Sequence, residues 1–278
     1  MQTIRDVASL REAVDALRAT GRVALVPTMG ALHAGHISLV DAARAQAEHV
    51  AVSIFVNPTQ FGANEDLDAY PRREAADAAM LEDAGVAVLW APAVAEMYPD
   101  GFATTVSVAG LGDDLCGASR PGHFDGVASV VAKLLNQVRP DVAVFGEKDW
   151  QQLAVIRRMA ADLDLPVRIV GVPIARDADG LAMSSRNAYL SADERARARA
   201  LPDAMRDAAS AIARGADVAQ VVAEARATLE RAGFVHEYLE LRDATTLGPV
   251  RSGHSVRLLV AARLGTTRLI DNMAVGGT

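Results

Sequence analysis

The stretch Val23-Ala24-Leu25-Val26-Pro27-Thr28-Met29-Gly30-Ala31-Leu32-His33-Ala34-Gly35-His36 decides the architecture of this chain. Its apolar opening, Val23 to Val26, reads as a short buried strand that Pro27 stops. The glycine-framed loop that follows carries His33 and His36 and leads into a helix expected from about His36 to Glu48. The step recurs outward along the chain. A helix from Val7 to Ala19 precedes it, and a strand from Val50 to Val56, stopped by Asn57-Pro58, follows it. Then come a helix over Arg73–Ala84 and a strand over Val86–Trp90, and a helix over Val127–Val138 and a strand over Val142–Phe145. The last pair is a helix over Gln151–Leu163 and a strand over Val167–Val172. Apolar strands alternating with helices describe a parallel sheet covered on both faces. The expected fold class is therefore α/β, a Rossmann-like doubly wound parallel sheet, filling a domain over residues 1–175.

Beyond Ala175 the texture changes. Residues 191–232 are rich in Ala, Arg, Asp and Glu and read as two helices around Gly215. Strand-like segments follow at Val235–Leu241, Ser255–Ala262 and Thr267–Asp271, interrupted by Gly and Pro. Residues 176–278 are thus expected to form a smaller C-terminal α+β domain.

Composition narrows the function classes. With 278 residues, 51% of them hydrophobic and 23% charged, the chain can bury a sizeable core. A net charge of −7 disfavours broad contact with nucleic acid, which needs a positive surface to displace counterions. Cys116 is the single cysteine, so no intrachain disulfide and no cysteine-based zinc cluster can form. Met1 to Leu10 has no apolar signal core and no apolar run reaches the length of a membrane span, so the reading is a cytoplasmic protein with no membrane partner.

The chemistry-bearing residues gather in loops after strands, where parallel sheets bind ligands. In the first loop the glycines let a ligand approach the backbone, and the following helix offers an N-terminus that attracts anions. His33 and His36 can donate hydrogen bonds to phosphate oxygens there. A zinc site would need further ligands, and no other histidine lies nearby in sequence. No GxGxxG or GxxxxGK[ST] occurs, which leaves this loop as the best phosphate cradle. A second loop, Phe145-Gly146-Glu147-Lys148-Asp149-Trp150-Gln151-Gln152, places Lys148 after another apolar strand, as a point charge suited to a transferring phosphoryl or adenylyl group. A third, Asp179-Gly180-Leu181-Ala182-Met183-Ser184-Ser185-Arg186-Asn187, offers hydroxyls, amides and a guanidinium that can grip two phosphate oxygens. Asn57 and Gln60 supply uncharged amides in a further loop, and Arg120 and His123 stand before another helix.

Taken in order, these segments resemble the pantothenate synthetase family. The resemblance rests on Pro27–His36, Phe55–Phe61, Glu65-Asp66-Leu67, Tyr70-Pro71-Arg72, Arg120–Phe124, Phe145–Gln152 and Asp179–Asn187. The tail, Ala261-Ala262-Arg263 with Thr267 through Asn272, belongs to it as well. His-x-Gly-His alone would indicate only the wider nucleotidyltransferase superfamily. The resemblance implies an ATP-dependent ligase that converts pantoate to pantoyl adenylate, releasing pyrophosphate, and then joins it to β-alanine, releasing AMP. It implies no protein-bound metal, Mg²⁺ carried by ATP, a homodimer, and ATP held between the larger domain and the smaller one.

Residue by residue, it implies that His33, His36 and Lys148 are catalytic, with His36 the proton donor. Met29, Gly30, Ala31, Leu32, Ala34 and Gly35 would bind ATP with them, as would Gly146, Glu147, Asp149, Ala175, Met183, Ser184, Ser185 and Arg186. Gln60 and Gln152 would hold pantoate, with Asn57, Tyr70, Arg120 and His123 as further members of the substrate pocket. Ala175 stands where the family more often has a larger β-branched residue, and Trp150 replaces a more usual Tyr or Phe. The competing readings are a superfamily enzyme that adenylates a phosphate acceptor and a non-catalytic nucleotide sensor.

Overall fold

The computed structural model describes residues 1–62, 65 and 67–276. Asp66 of the quoted motif and the last two residues, 277 and 278, lie outside the described residues. The chain divides into two compact units. One comprises Met1–Glu147 and Gln152–Pro173, the other Lys148–Gln151 and Ile174–Thr278.

The first unit runs β1 (Gln2–Ile4), α1 (Val7–Arg18), β2 (Val23–Thr28), α2 (Ala34–Arg44), β3 (His49–Ile54), α3 (Glu74–Asp83), β4 (Val88–Trp90), α4 (Val94–Met97), α5 (Cys116–Ser119), α6 (His123–Val138), β5 (Val142–Gly146), α7 (Trp150–Asp162, its first two residues grouped with the second unit) and β6 (Arg168–Val172). Its six strands are all parallel, in the order β1-β4-β3-β2-β5-β6. The alternation of side chains along each strand feeds two layers. Val26, Val52 and Val144 pack with Val40 and Ala43 of α2 and Leu81 of α3. On the opposite face, the fully buried Trp90 donates its indole N–H to Gln137 of α6 at 3.2 Å. The doubly wound sheet is as the apolar runs predict. From β2 the chain builds outward through β3 to β4, then returns to add β5 on the other side of β2. The loops leaving β2 and β5 therefore flank the point where winding reverses, the place where such sheets bind ligands.

Several boundaries differ from the sequence reading, among them the end of α2 at Arg44 and of the last strand at Val275, and for two the reason is identifiable. β2 does not stop at Pro27 but continues to Thr28. Thr28 accepts a hydrogen bond from Phe55 N–H on the β3 side, so Pro27, one residue earlier, faces β5. Pairing with β5 has already ended at Leu25↔Ala143, so the missing proline N–H breaks no ladder bond. α6 begins at His123 rather than near Val127, because Gly122, at φ 79°, turns the chain straight into the helix. β1, an edge strand three residues long, carried no readable pattern.

The second unit holds α8 (Ala192–Ala198), α9 (Ala200–Ala213), α10 (Val218–Arg231), β7 (Phe234–Asp243), β8 (Val256–Leu264) and β9 (Thr267–Val275). The strands form an antiparallel sheet in the order β7-β8-β9. The helices are three where two were expected. Pro202 sits in the first turn of α9, where a missing N–H costs nothing, and so a new helix starts there instead of α8 running on. Leu201, Met205 and Leu229 pack on Leu239, Leu258 and Val260 to close this unit's own core. Among the described residues no helix is long and apolar enough to cross a membrane.

Candidate active site

The loop after β2 is braced by bonds from within the fold. Gly30 and Ala31 both adopt positive φ, 84° and 51°. For Ala31 this left-handed backbone carries a steric penalty that its surroundings must offset. They do so through Asp77 of α3, only 3% exposed, whose carboxylate accepts the N–H of Ala31 and that of Leu32, each at 2.9 Å. A Cβ on Gly30 would lie 3.1 Å from the same carboxylate and from Ile54.

His33 is the N-cap of α2. Its Nδ1 accepts the N–H of Gly35 at 3.1 Å, and its own N–H is donated to Nδ1 of His36 at 3.3 Å. A backbone amide can only donate, so both Nδ1 atoms must present a lone pair. The hydrogen-bond network thereby assigns both rings the tautomer with its proton on Nε2. The ring centroids are 4.2 Å apart. Two imidazole N–H donors are thus fixed at the N-terminus of a helix, an arrangement suited to anionic oxygens.

The loop after β3 brings together most of the expected acid-binding residues. Asn57 is 1% exposed and its amide is saturated: Nδ2 donates to the Gly126 carbonyl at 3.1 Å and to Gln60 Oε1 at 3.0 Å. Its Oδ1 accepts from the Thr59 hydroxyl at 2.9 Å and the Tyr98 hydroxyl at 2.8 Å. Gly126 must be glycine here, since a Cβ would lie 2.6 Å from the Thr59 carbonyl carbon. Gln60, oriented by Asn57, points its Nε2 at the Met29 sulfur, 3.3 Å away.

Arg120 donates to both oxygens of Glu65, at 2.7 and 2.6 Å, and to His123 Nε2 at 2.9 Å. Because a guanidinium cannot accept, His123 carries its proton on Nδ1 and donates it to the Gln60 carbonyl at 2.8 Å. Burial pushes the Glu65 carboxyl up, but the hydrogen bond and charge of Arg120 outweigh it, leaving Glu65 below the usual value. Tyr70 is buried edge-on to Phe61. Gln152 is half-buried on the first turn of α7, and Gly146 ends β5 beside Leu39.

In the second unit, Lys148 lies on a 3₁₀ turn, Glu147–Asp149, and its carbonyl accepts the side-chain amide of Asn272 at 2.9 Å. The Trp150 indole N–H is donated to the Ala244 carbonyl at 2.8 Å, and the Arg257 guanidinium lies 3.3 Å from the centre of the Trp150 ring. Ala244 follows Asp243, a fully buried residue whose carboxylate accepts the N–H groups of Thr245 and Thr246 and meets His254 Nδ1 at 2.7 Å. Those backbone donors, Thr246 foremost, and His254 hold its pKa down at about 2.

The Ser-Ser-Arg segment leaves a small hairpin. Met183 N–H is donated to the Ala175 carbonyl at 2.9 Å, and Arg176 pairs with Ala182. Ser184 caps the turn Ser185–Tyr189, its hydroxyl accepting Arg186 N–H at 3.3 Å. Arg195 of α8 grips Asp177 and Asp179, and its hydrogen bond holds the Asp179 carboxyl below the usual value.

The sequence reading missed Asp77, Asp271 and Asn272 as working residues. For Asp77 a signal existed: an acid four residues before Leu81, on the buried stripe of α3. Asp271 and Asn272 stand in the quoted tail motif, but nothing local says what they reach.

A family model described as Pantoate-beta-alanine ligase matches residues 2–274. A pantothenate synthetase of Sphingopyxis alaskensis is 63% identical over 279 residues, covering 99% of this chain and 100% of the relative. That of Novosphingobium aromaticivorans is 62% identical over 284 residues, covering 99% of each. Among solved structures, a pantothenate synthetase from Thermus thermophilus superposes with TM-score 0.94 at 46% identity, covering 100% of both chains. A pantoate-beta-alanine ligase from Francisella tularensis, complexed with beta-gamma ATP and beta-alanine, superposes with TM-score 0.83 at 32% identity, covering 99% of this chain and 97% of that one.

Proposed function

The chain belongs to the pantoate-beta-alanine ligase family, and from that premise we propose a division of labour among its loops. The protein is an ATP-dependent ligase that condenses pantoate with β-alanine. In the proposed course the pantoate carboxylate attacks the α-phosphate of ATP and pyrophosphate leaves. The amine of β-alanine then attacks the acyl carbon of pantoyl adenylate, the C–N bond forms, and AMP leaves.

The first step sets one anion against another, so donors must be fixed where charge builds. His33 and His36 donate hydrogen bonds from Nε2 to the oxygens of the triphosphate. Lys148 and Arg186 supply positive charge, and Ser184 and Ser185 add hydroxyls. The backbone of Met29 to Gly35 lines the nucleotide, and Gly146, Glu147, Asp149, Ala175 and Met183 frame the nucleoside. Gln60 and Gln152 bind pantoate. Asn57 acts on Gln60, while Tyr70, Arg120 and His123 hold the wall around it. Trapping the adenylate beside the amine site makes the second step effectively unimolecular.

The observation that carries this assignment is the locked tautomer of both histidines, which leaves Nε2–H as the donor on each ring. Mg²⁺ is taken to enter with ATP as part of the substrate, its remaining ligands phosphate oxygens and water. By resemblance the enzyme works as a cytoplasmic homodimer, and static light scattering on the purified protein would read its mass directly.

Pyrophosphate release tests the order of events. With ATP, Mg²⁺ and pantoate alone, one equivalent of pyrophosphate should appear, and AMP and pantothenate should follow on adding β-alanine. Pyrophosphate that appears only when β-alanine is present would refute the adenylate route.

A further inference from the structure

Asp271 and Asn272 are neighbours on β9, each 2% exposed, in a strand whose other buried positions are Thr267, Leu269 and Val275. A buried carboxylate and a buried amide are expensive unless every polar atom is partnered. For packing alone, apolar residues would serve those positions as well. Each side chain instead reaches out of the sheet to a different loop.

Asp271 receives both terminal nitrogens of Arg176, at 2.7 and 2.8 Å. Arg176 also donates to the Gly180 carbonyl at 3.0 Å, bracing the hairpin from which Met183, Ser184 and Arg186 emerge. Asn272 donates to the Lys148 carbonyl at 2.9 Å and accepts from Arg257, the residue stacked on Trp150. Its own N–H is donated to Asp271 Oδ1 at 2.7 Å, tying the pair together. A lysine side chain is a flexible arm, and its charge can be placed only as well as its backbone is held.

We propose that Asp271 and Asn272 are positioning residues for adenylation, a single element that sets the Lys148 turn and the segment carrying Ser184, Ser185 and Arg186. Neither touches substrate; each acts through the loop it holds. The inference rests on the assignment of Lys148, Ser184, Ser185 and Arg186 to the triphosphate.

The experiment is single-turnover pyrophosphate release by the full-length enzyme with ATP-Mg and pantoate, alongside thermal melting. Asn272→Asp keeps an acceptor for Arg257 but replaces the donor to Lys148 with a charged oxygen, so Asn272→Ala, which removes the donor without adding charge, is the second variant. Adenylate formation should slow by roughly 10- to 100-fold, the scale for displacing a reacting group by about 1 Å. The loss should vanish in a Lys148→Ala background, the double variant being no slower than Lys148→Ala alone. In the same way Asp271→Asn should raise the ATP KM, and Arg186→Ala should absorb that effect.

Losses that multiply in the double variants would overturn the proposal, as would a folded Asn272→Asp enzyme with normal rates. So would variants that only lower the melting temperature. A Lys148→Ala enzyme working at the wild-type rate would sink the phosphate-site assignment itself. A slow Lys148→Ala beside an indifferent Asn272→Asp would sink the positioning role alone.

Discussion

The Asp77 carboxylate accepts the N–H of Ala31 at 2.9 Å, and Ala31 holds a φ of 51° that L-residues rarely adopt. The two facts belong together, because the bond supplies part of what the left-handed backbone costs. Asp77→Ala leaves two loop amides without their acceptor and should lower stability by about 1–3 kcal/mol, with the ATP KM rising as the loop relaxes. Ala31→Gly removes the steric penalty of roughly 1–2 kcal/mol at the expense of a more flexible unfolded chain, so it should be neutral or mildly stabilising. Urea unfolding of both variants checks the pair. An Asp77→Ala protein with wild-type stability would show the loop to be self-supporting.

Asn57 should matter to pantoate without meeting it. Its saturated amide orients Gln60 through one 3.0 Å bond, so Asn57→Ala should raise the pantoate KM while leaving the ATP KM close to normal. Gln60→Ala should produce the same pattern more strongly. Steady-state kinetics with each substrate varied in turn separate the two, and an Asn57→Ala effect confined to ATP would contradict the orientation role.

Lys148→Ala should slow adenylate formation by on the order of 10²-fold, the scale for removing one preorganised charge stabiliser. Single-turnover rates are the measurement, because a multiple-turnover assay can hide the step behind product release.

Acid should loosen the second unit at the turn between β7 and β8. Asp243 has a folded pKa of about 2 against an ordinary 3.8, so it binds its proton more readily when unfolded. Its contribution to stability is therefore complete above roughly pH 3.8 and is lost as pH falls towards 2. Thermal melts across pH 2 to 5 should show a steeper decline for the wild type than for Asp243→Asn, on the order of one titrating group. Parallel curves would mean the group does not titrate between those states.

Much of this was legible in the sequence. The strands showed as apolar runs, and the loops proposed to bind ligand as glycine, histidine and lysine just after them, because both signals are local. What stayed hidden depends on partners far along the chain. Asp77 lies 46 residues from Ala31, and Asn272 lies 124 residues from Lys148. Side-chain bonds to distant backbone leave no periodicity to read. Pro27 misled for a related reason: a proline ends a strand only where its N–H was needed, and that depends on which neighbour is still paired. The tautomers of His33, His36 and His123 were likewise invisible, since each is set by the donor or acceptor facing one ring nitrogen.

The short segment Lys148–Gln151 is grouped with the C-terminal unit although the chain on both sides of it belongs to the other. The polypeptide therefore passes between the units three times, at 147/148, 151/152 and 173/174. No single cut separates them. A fragment ending at Pro173 would keep Lys148 and Trp150 but lose Asn272 and Ala244, their anchors. The C-terminal unit is thus no detachable appendage that recombination could exchange between enzymes as a cassette. Any swap would have to carry four residues from the middle of the neighbouring fold along with it.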